Sequence, residues 1–142
     1  MNKNPLECCL FFSANSLARI ITRMGEEEFA RVGMTPSYAF LLTLAVSRPG
    51  ISQKELAAQL HMAPSTVSRF VDALVSKGLI AKETEGRNTY IHPTDNGLAL
   101  QPSIEKAWRG LHDRYSAILG REQGDMLAEL TAAACRKLQG GE

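Results

Sequence analysis

The chain has 142 residues, of which 44% are hydrophobic and 22% charged. That composition excludes a disordered or collagen-like chain, and the length suits one domain with a core of its own. Lys and Arg total 16 against 15 Asp and Glu, a net charge of +1, so contact with a polyanion must come from a local patch. The uncharged run Thr35–Ser47 is too short for a membrane span, which needs about 20 apolar residues. Pro5 and Glu7 interrupt the N-terminus early, so no secretory signal is expected. Three cysteines, two of them adjacent (Cys8 and Cys9), do not suit a secreted disulfide framework. A cytoplasmic protein with free thiols is the expectation.

Nearly everything reads as helix. Asn4 suits an N-cap and Pro5 a first helical position. Leu6, Leu10, Ser13, Leu17, Ile21 and Met24 then recur at near-heptad spacing, widened by Cys9, Ile20 and Phe29. This helix is expected to run to Val32 and stop at Gly33. Thr35 and Pro36 open a second helix, with Phe40, Leu41, Leu44 and Ala45 on one face. It breaks before Pro49-Gly50. Ser52, with Glu55 three residues on, forms a capping box for a third helix with Leu56, Ala57 and Leu60 inward. A turn at His61-Met62 leads to a fourth, opened by Pro64 and striped by Val67, Phe70, Val71, Leu74 and Val75. Gly78 is its stop.

Helical period is then lost. Leu79–Thr84 and Asn88–His92 have strand character and join around Glu85-Gly86-Arg87 as a hairpin. Thr94 caps a long helix whose face holds Leu100, Ile104, Ala107 or Trp108, Leu111, Tyr115 and Ile118. Pro102 should kink it. Gly120 and Gly124 bracket a break before a last helix with Met126, Leu127, Leu130, Ala134 and Leu138. The fold class is therefore mainly α with a small β-hairpin wing. A winged helix-turn-helix at 35–94 would be flanked by dimerisation helices at 1–34 and 95–142, in a single intertwined domain. The outer helices carry more apolar stripe than the middle segment needs for cover, which a homodimer would explain.

A helix-turn-helix places its second helix in the DNA major groove with N-terminal residues at base edges. Here that helix begins Pro64-Ser65-Thr66-Val67-Ser68-Arg69. Ser65, Thr66, Ser68, Arg69 and Asp72 are left outside by the apolar stripe. Hydroxyls can donate to phosphate or base, and Arg69 can grip guanine or phosphate with two prongs. The alternative is a solvated helix face in a winged-helix protein-interaction module that does not bind DNA. Between Ser52 and Thr94 the charges balance to +1. Binding then requires Lys54, Arg69, Lys82 and Arg87 to face DNA while the acids do not.

Ser52–Ile80, with Ser-Gln-Lys-Glu-Leu-Ala, Pro-Ser-Thr-Val-Ser-Arg and Lys-Gly-Leu-Ile, resembles the DNA-binding core of the MarR family of multiple-antibiotic-resistance-type regulators. Glu85-Gly86-Arg87, with Thr94 seven residues after Arg87, stands where that family carries Asp-x-Arg in its wing. The resemblance implies a dimer on a palindromic operator, commonly a repressor released by a small molecule or by thiol oxidation. It implies double-stranded DNA as partner, with Gln53, Lys54, Ser65, Thr66, Ser68, Arg69, Lys82 and Arg87 as candidate contacts. Two departures stand out. Glu85 replaces the usual Asp, where it would brace Arg87, and the wing tip is shorter than is typical of the family.

The effector or redox candidates are Cys8, Cys9, Tyr38 and Trp108. Cys8 and Cys9 sit where the helix dipole favours negative charge. The family's hydroperoxide sensors carry a reactive cysteine early in the first helix, held by tyrosines, and Tyr38 matches one of their places. The other tyrosine is missing: Phe12 and Ser13 stand four residues after the cysteines. The alternative makes Cys9 a small seam residue and Cys8 incidental. A Cys8–Cys9 bond is disfavoured on a helix, and a bond to Cys135 in the last helix is the better pairing. Trp108 could line a cleft beside the kink, or belong to the core. His61, His92 and His112 lack metal spacing, so no metal is expected. No nucleophile triad, phosphate loop or carboxylate pair is visible, so neither enzyme activity nor a cofactor is expected.

Overall fold

A computed structural model describes residues 4–140. A short 3-10 helix at Pro5–Cys8 is followed by α1 (Leu10–Ala30) and α2 (Pro36–Ser47). Then come β1 (Ile51–Ser52), α3 (Gln53–Leu60), α4 (Pro64–Ser76), β2 (Ile80–Glu85) and β3 (Asn88–Pro93). Two more helices, α5 (Asp95–Leu119) and α6 (Arg121–Leu138), complete the described chain. No helix among the described residues is long and apolar enough to cross a membrane.

The chain forms two compact units, 1–107 and 108–142. The first is built around buried Phe29, Leu41, Leu42, Leu56, Val67, Val71, Leu74, Ile80, Ile91 and Ile104. Local chemistry places its elements. The Thr35 hydroxyl accepts from the Tyr38 amide at 3.4 Å, and Pro36 supplies the pre-set first position of α2. The Ser52 hydroxyl accepts from the Glu55 amide at 3.1 Å and starts α3. The capping box is only half closed, because the Glu55 carboxylate turns to Arg48 at 2.9 Å instead of back to the cap. α3 ends at His61, which takes the left-handed conformation at φ 54°.

Several expectations change. The N-terminal helix is not continuous from Pro5: Cys9 is extended, at φ −92° and ψ 117°, and separates the 3-10 helix from α1. On α2, Phe40 is exposed, and Ala39 and Leu42 join the core in its place. A two-residue strand, β1, was not legible from pattern. It pairs antiparallel with β3 through Ile51–Ile91 and Ser52–Tyr90, giving the order β1-β3-β2. The hairpin turn is tighter than Glu85-Gly86-Arg87, since Glu85 pairs with Asn88 and only Gly86 and Arg87 form the tip. Gly86 has φ +63°, the positive first turn position that a type II′ hairpin requires.

The start of α5 is a point of close backbone approach. The Thr94 hydroxyl donates to the Gly78 carbonyl at 2.6 Å and accepts from the Gly97 amide at 3.1 Å. A Cβ on Gly97 would collide with the Leu79 carbonyl oxygen. α5 then runs unbroken through Pro102, although the ring removes one backbone donor.

In the second unit, the end of α5 and α6 are joined at Gly120, at φ +90°. Gly124 does not bracket the break as the spacing suggests. It lies buried inside α6, and a Cβ there would stand 3.1 Å from the Tyr115 ring. His112 meets Asp125 at 2.9 Å and lies edge-on to Tyr115. Burial, and secondarily the Asp125 carboxylate, raise the Tyr115 hydroxyl above the ordinary tyrosine range. Ile118, Leu119, Met126, Leu127, Leu130 and Leu138 are exposed.

Candidate nucleic-acid interface

The α3-turn-α4 pair and its β2–β3 wing carry a set of exposed polar side chains. α4 buries Val67, Val71 and Leu74, and Phe70 meets Tyr38 edge-on at 4.9 Å between ring centres. That burial fixes which side of α4 remains outside. Ser65 and Arg69 are exposed, whereas Thr66 and Ser68 flank the apolar stripe and are half-buried. Arg69 makes no ion pair or hydrogen bond among the described residues, so its guanidinium is available to a ligand. At the start of α3, Lys54 is exposed and Gln53 half-buried.

The wing projects into solvent. Ile80 anchors β2, but Ala81 to Glu85 are all exposed, as are Gly86 and Arg87 at the tip. Glu85 and Arg87 make no ion pair among the described residues, so the expected brace between them is not formed. Lys82 is placed differently from the other candidate cations, because its ammonium donates to the Asp72 carboxylate of α4 at 2.9 Å. Both residues are legible in the sequence as a wing cation and an outer carboxylate of α4, but their pairing is not. Its signal lies in strand alternation, which puts Lys82 on the same side of β2 as Ile80.

Cys8, Cys9 and Cys135 are free and exposed, and the Cys8 thiol donates to the Pro5 carbonyl at 3.1 Å. Tyr38 spends its ring on Phe70. Trp108 is half-buried in α5. A shallow depression on α6, about 480 Å³, is lined by Met126, Glu129, Leu130, Ala133 and Arg136 and does not include Trp108.

With this geometry established, known proteins locate the chain. The MarR family model matches residues 34–88. A putative transcriptional regulatory protein for the hcr operon of Thauera aromatica is 30% identical over 112 residues, covering 72% of this chain and 68% of that protein. Among solved structures, a transcriptional repressor, CouR, bound to a 23-mer DNA duplex superposes with a TM-score of 0.86 at 24% identity, covering 96% of this chain and 98–99% of its own chains in two states. The second of those states holds p-coumaroyl-CoA and has a TM-score of 0.84. A riboflavin kinase from Thermococcus kodakarensis (strain ATCC BAA-918 / JCM 12380 / KOD1) matches at 46% identity over only 55 residues, 26% of its length, too little to carry an enzymatic activity across. The chain belongs to the MarR family, whose members are winged-helix, DNA-binding transcription regulators and not enzymes.

Proposed function

We propose that the protein is a dimeric repressor of a palindromic operator, released from DNA by a small molecule. In this reading α4 enters the major groove, with Ser65, Thr66, Ser68 and Arg69 at bases and phosphates and Gln53 and Lys54 on the backbone. Arg87 at the wing tip reaches the minor groove. The observation that carries the reading is Arg69, exposed and with no partner among the described residues, on the outer face of a helix whose inner face is locked in the core. The repressor role and the small-molecule trigger draw support from the CouR structures, named as a repressor and holding DNA in one state and p-coumaroyl-CoA in the other. The deciding experiment recovers bound duplexes from a random pool. Recovery of an inverted repeat, with half-sites about one helical turn apart, is expected. Binding that is absent, or insensitive to salt, would point instead to a module for protein contacts.

Dimerisation falls to residues 1–34 and 95–142 in this proposal. Leu10 and Phe11 at the start of α1 are 70% and 80% exposed, and Leu130 on α6 is 65% exposed. Apolar surface of this kind is normally covered in an assembly. Deleting residues 1–33 would also remove Phe29 from the core, where it is fully buried. Point changes are therefore the cleaner test. Leu10→Glu with Phe11→Glu, or Leu130→Glu, is expected to turn the dimer into a folded monomer in sedimentation. A dimer that survives both sets would remove these helices from the seam.

A small molecule is favoured over an oxidant because Tyr38 packs on Phe70 and no described cation pairs with the exposed thiols. Mild hydroperoxide is thus expected to leave DNA affinity unchanged while mass spectrometry reports oxidation of Cys8, Cys9 or Cys135. Loss of affinity that Cys8→Ser or Cys9→Ser prevents would make the thiols the sensor.

A further inference from the structure

We propose that Lys82 is the counter-ion of Asp72 and not a contact to DNA phosphate. The inference rests on the reading of α4 as the DNA-facing helix.

Strand register supplies the first argument. Lys82 lies directly opposite Ile91 across the β2–β3 ladder. Opposed residues of an antiparallel pair share a face. Ile91 is fully buried, and so is Ile80, two residues before Lys82 on the same side of β2. The Lys82 stem therefore leaves the sheet on its core-facing side. Glu83 and Glu85 leave on the other. The ammonium then reaches Asp72 Oδ1 at 2.9 Å.

Charge supplies the second. Asp72 follows Arg69 by three positions, so the two share the outer side of α4. A bare carboxylate there would repel the phosphates that Arg69 and the serines approach. Arg69 does not neutralise it, and Lys82 does. Both partners are about half exposed, and a pair of that kind contributes little to stability alone. Its effect is expected on DNA affinity, where the uncompensated charge of Asp72 would face a polyanion.

The test measures affinity for a duplex recovered by the wild-type protein from a random pool, over a range of salt, for wild type, Lys82→Gln, Asp72→Asn and the double variant. Lys82→Gln should bind about fivefold more weakly, the factor that one exposed pair can account for. The double variant should return to within about twofold of wild type, with an unchanged salt slope, because carboxylate and counter-ion leave together. Asp72→Asn alone should bind more tightly, with a slope steeper by up to about one per protomer as Lys82 is released to phosphate. A double variant as weak as Lys82→Gln, with a slope shallower by about 0.9 per protomer, would make Lys82 a phosphate contact and overturn the proposal. Lys82→Gln equal to wild type would overturn it too. Failure of the wild-type protein to retain any duplex would sink the DNA reading itself, an outcome distinct from both.

Discussion

Replacing Arg69 with alanine is expected to cost about 1–3 kcal/mol on the preferred site, the worth of a two-pronged contact to a guanine edge. The expectation follows from placement. Val67, Phe70 and Val71 turn one side of α4 inward, and the guanidinium emerges opposite with no partner among the described residues to compete for it. Five donors in a planar fork then remain free for one base or one phosphate. The measurement is affinity on a set of duplexes, each changed at a single position. Base reading predicts that discrimination relaxes at one position of each half-site while the others keep their preference. An equal loss on every sequence, with a shallower salt slope, would assign Arg69 to the phosphate backbone instead.

The largest effect on stability is expected at Gly97. Two contributions oppose each other in Gly97→Ala. Alanine inside a helix is favoured over glycine by about 1 kcal/mol. Against this, the new Cβ would overlap the Leu79 carbonyl oxygen and stand 3.1 Å from Leu42 Cδ1. The obstacle is backbone, and it is held from both sides. The Thr94 amide donates to that same carbonyl at 3.1 Å, and the Thr94 hydroxyl is bonded to Gly78 at 2.6 Å. Overpacking typically costs about 1–3 kcal/mol and more where the neighbour cannot yield. The clash should win, with a net loss of about 2 kcal/mol in urea unfolding at equal protomer concentration. Gly124→Ala is the comparison. Its Cβ would meet the Tyr115 ring at 3.1 Å, a side chain that can shift, so the loss there should be smaller. An alanine at position 97 that leaves stability unchanged or raised would mean that α5 can move off the Leu79–Thr94 junction.

The helix-turn-helix core was legible residue by residue because its signals act within one turn of chain. Thr35, Ser52 and Thr94 cap the amide three positions on, Pro36 and Pro64 open helices, and Gly78 and Gly86 take positive φ where the chain reverses. The period of the apolar residues then told which side of α4 is buried, and with it that Arg69 lies outside. β1 was invisible, since two residues show no alternation and Ile51–Ser52 becomes strand only when β3 arrives beside it. The break at Cys9 was also missed, because a heptad stripe continues across a non-helical residue as readily as across a helical one. Gly124 looked like a terminator. Its reason for lacking a side chain is the Tyr115 ring, nine residues back in sequence and adjacent only after the turn at Gly120.

Lys82 marks the boundary most clearly. Composition and order established a cation on the wing, a carboxylate on the recognition helix and a balance of +1 between Ser52 and Thr94. They could not distinguish a lysine free to meet phosphate from one already paired. That was decided by the register of β2 on β3, which opposes Lys82 to the buried Ile91, and by the packing that brings α4 alongside. A cap or a stripe is a property of neighbours along the chain. An ion pair ten residues apart, on a strand and a helix, depends on a distance that only the assembled core determines, because attraction between exposed charges weakens with distance and is screened over about 10 Å.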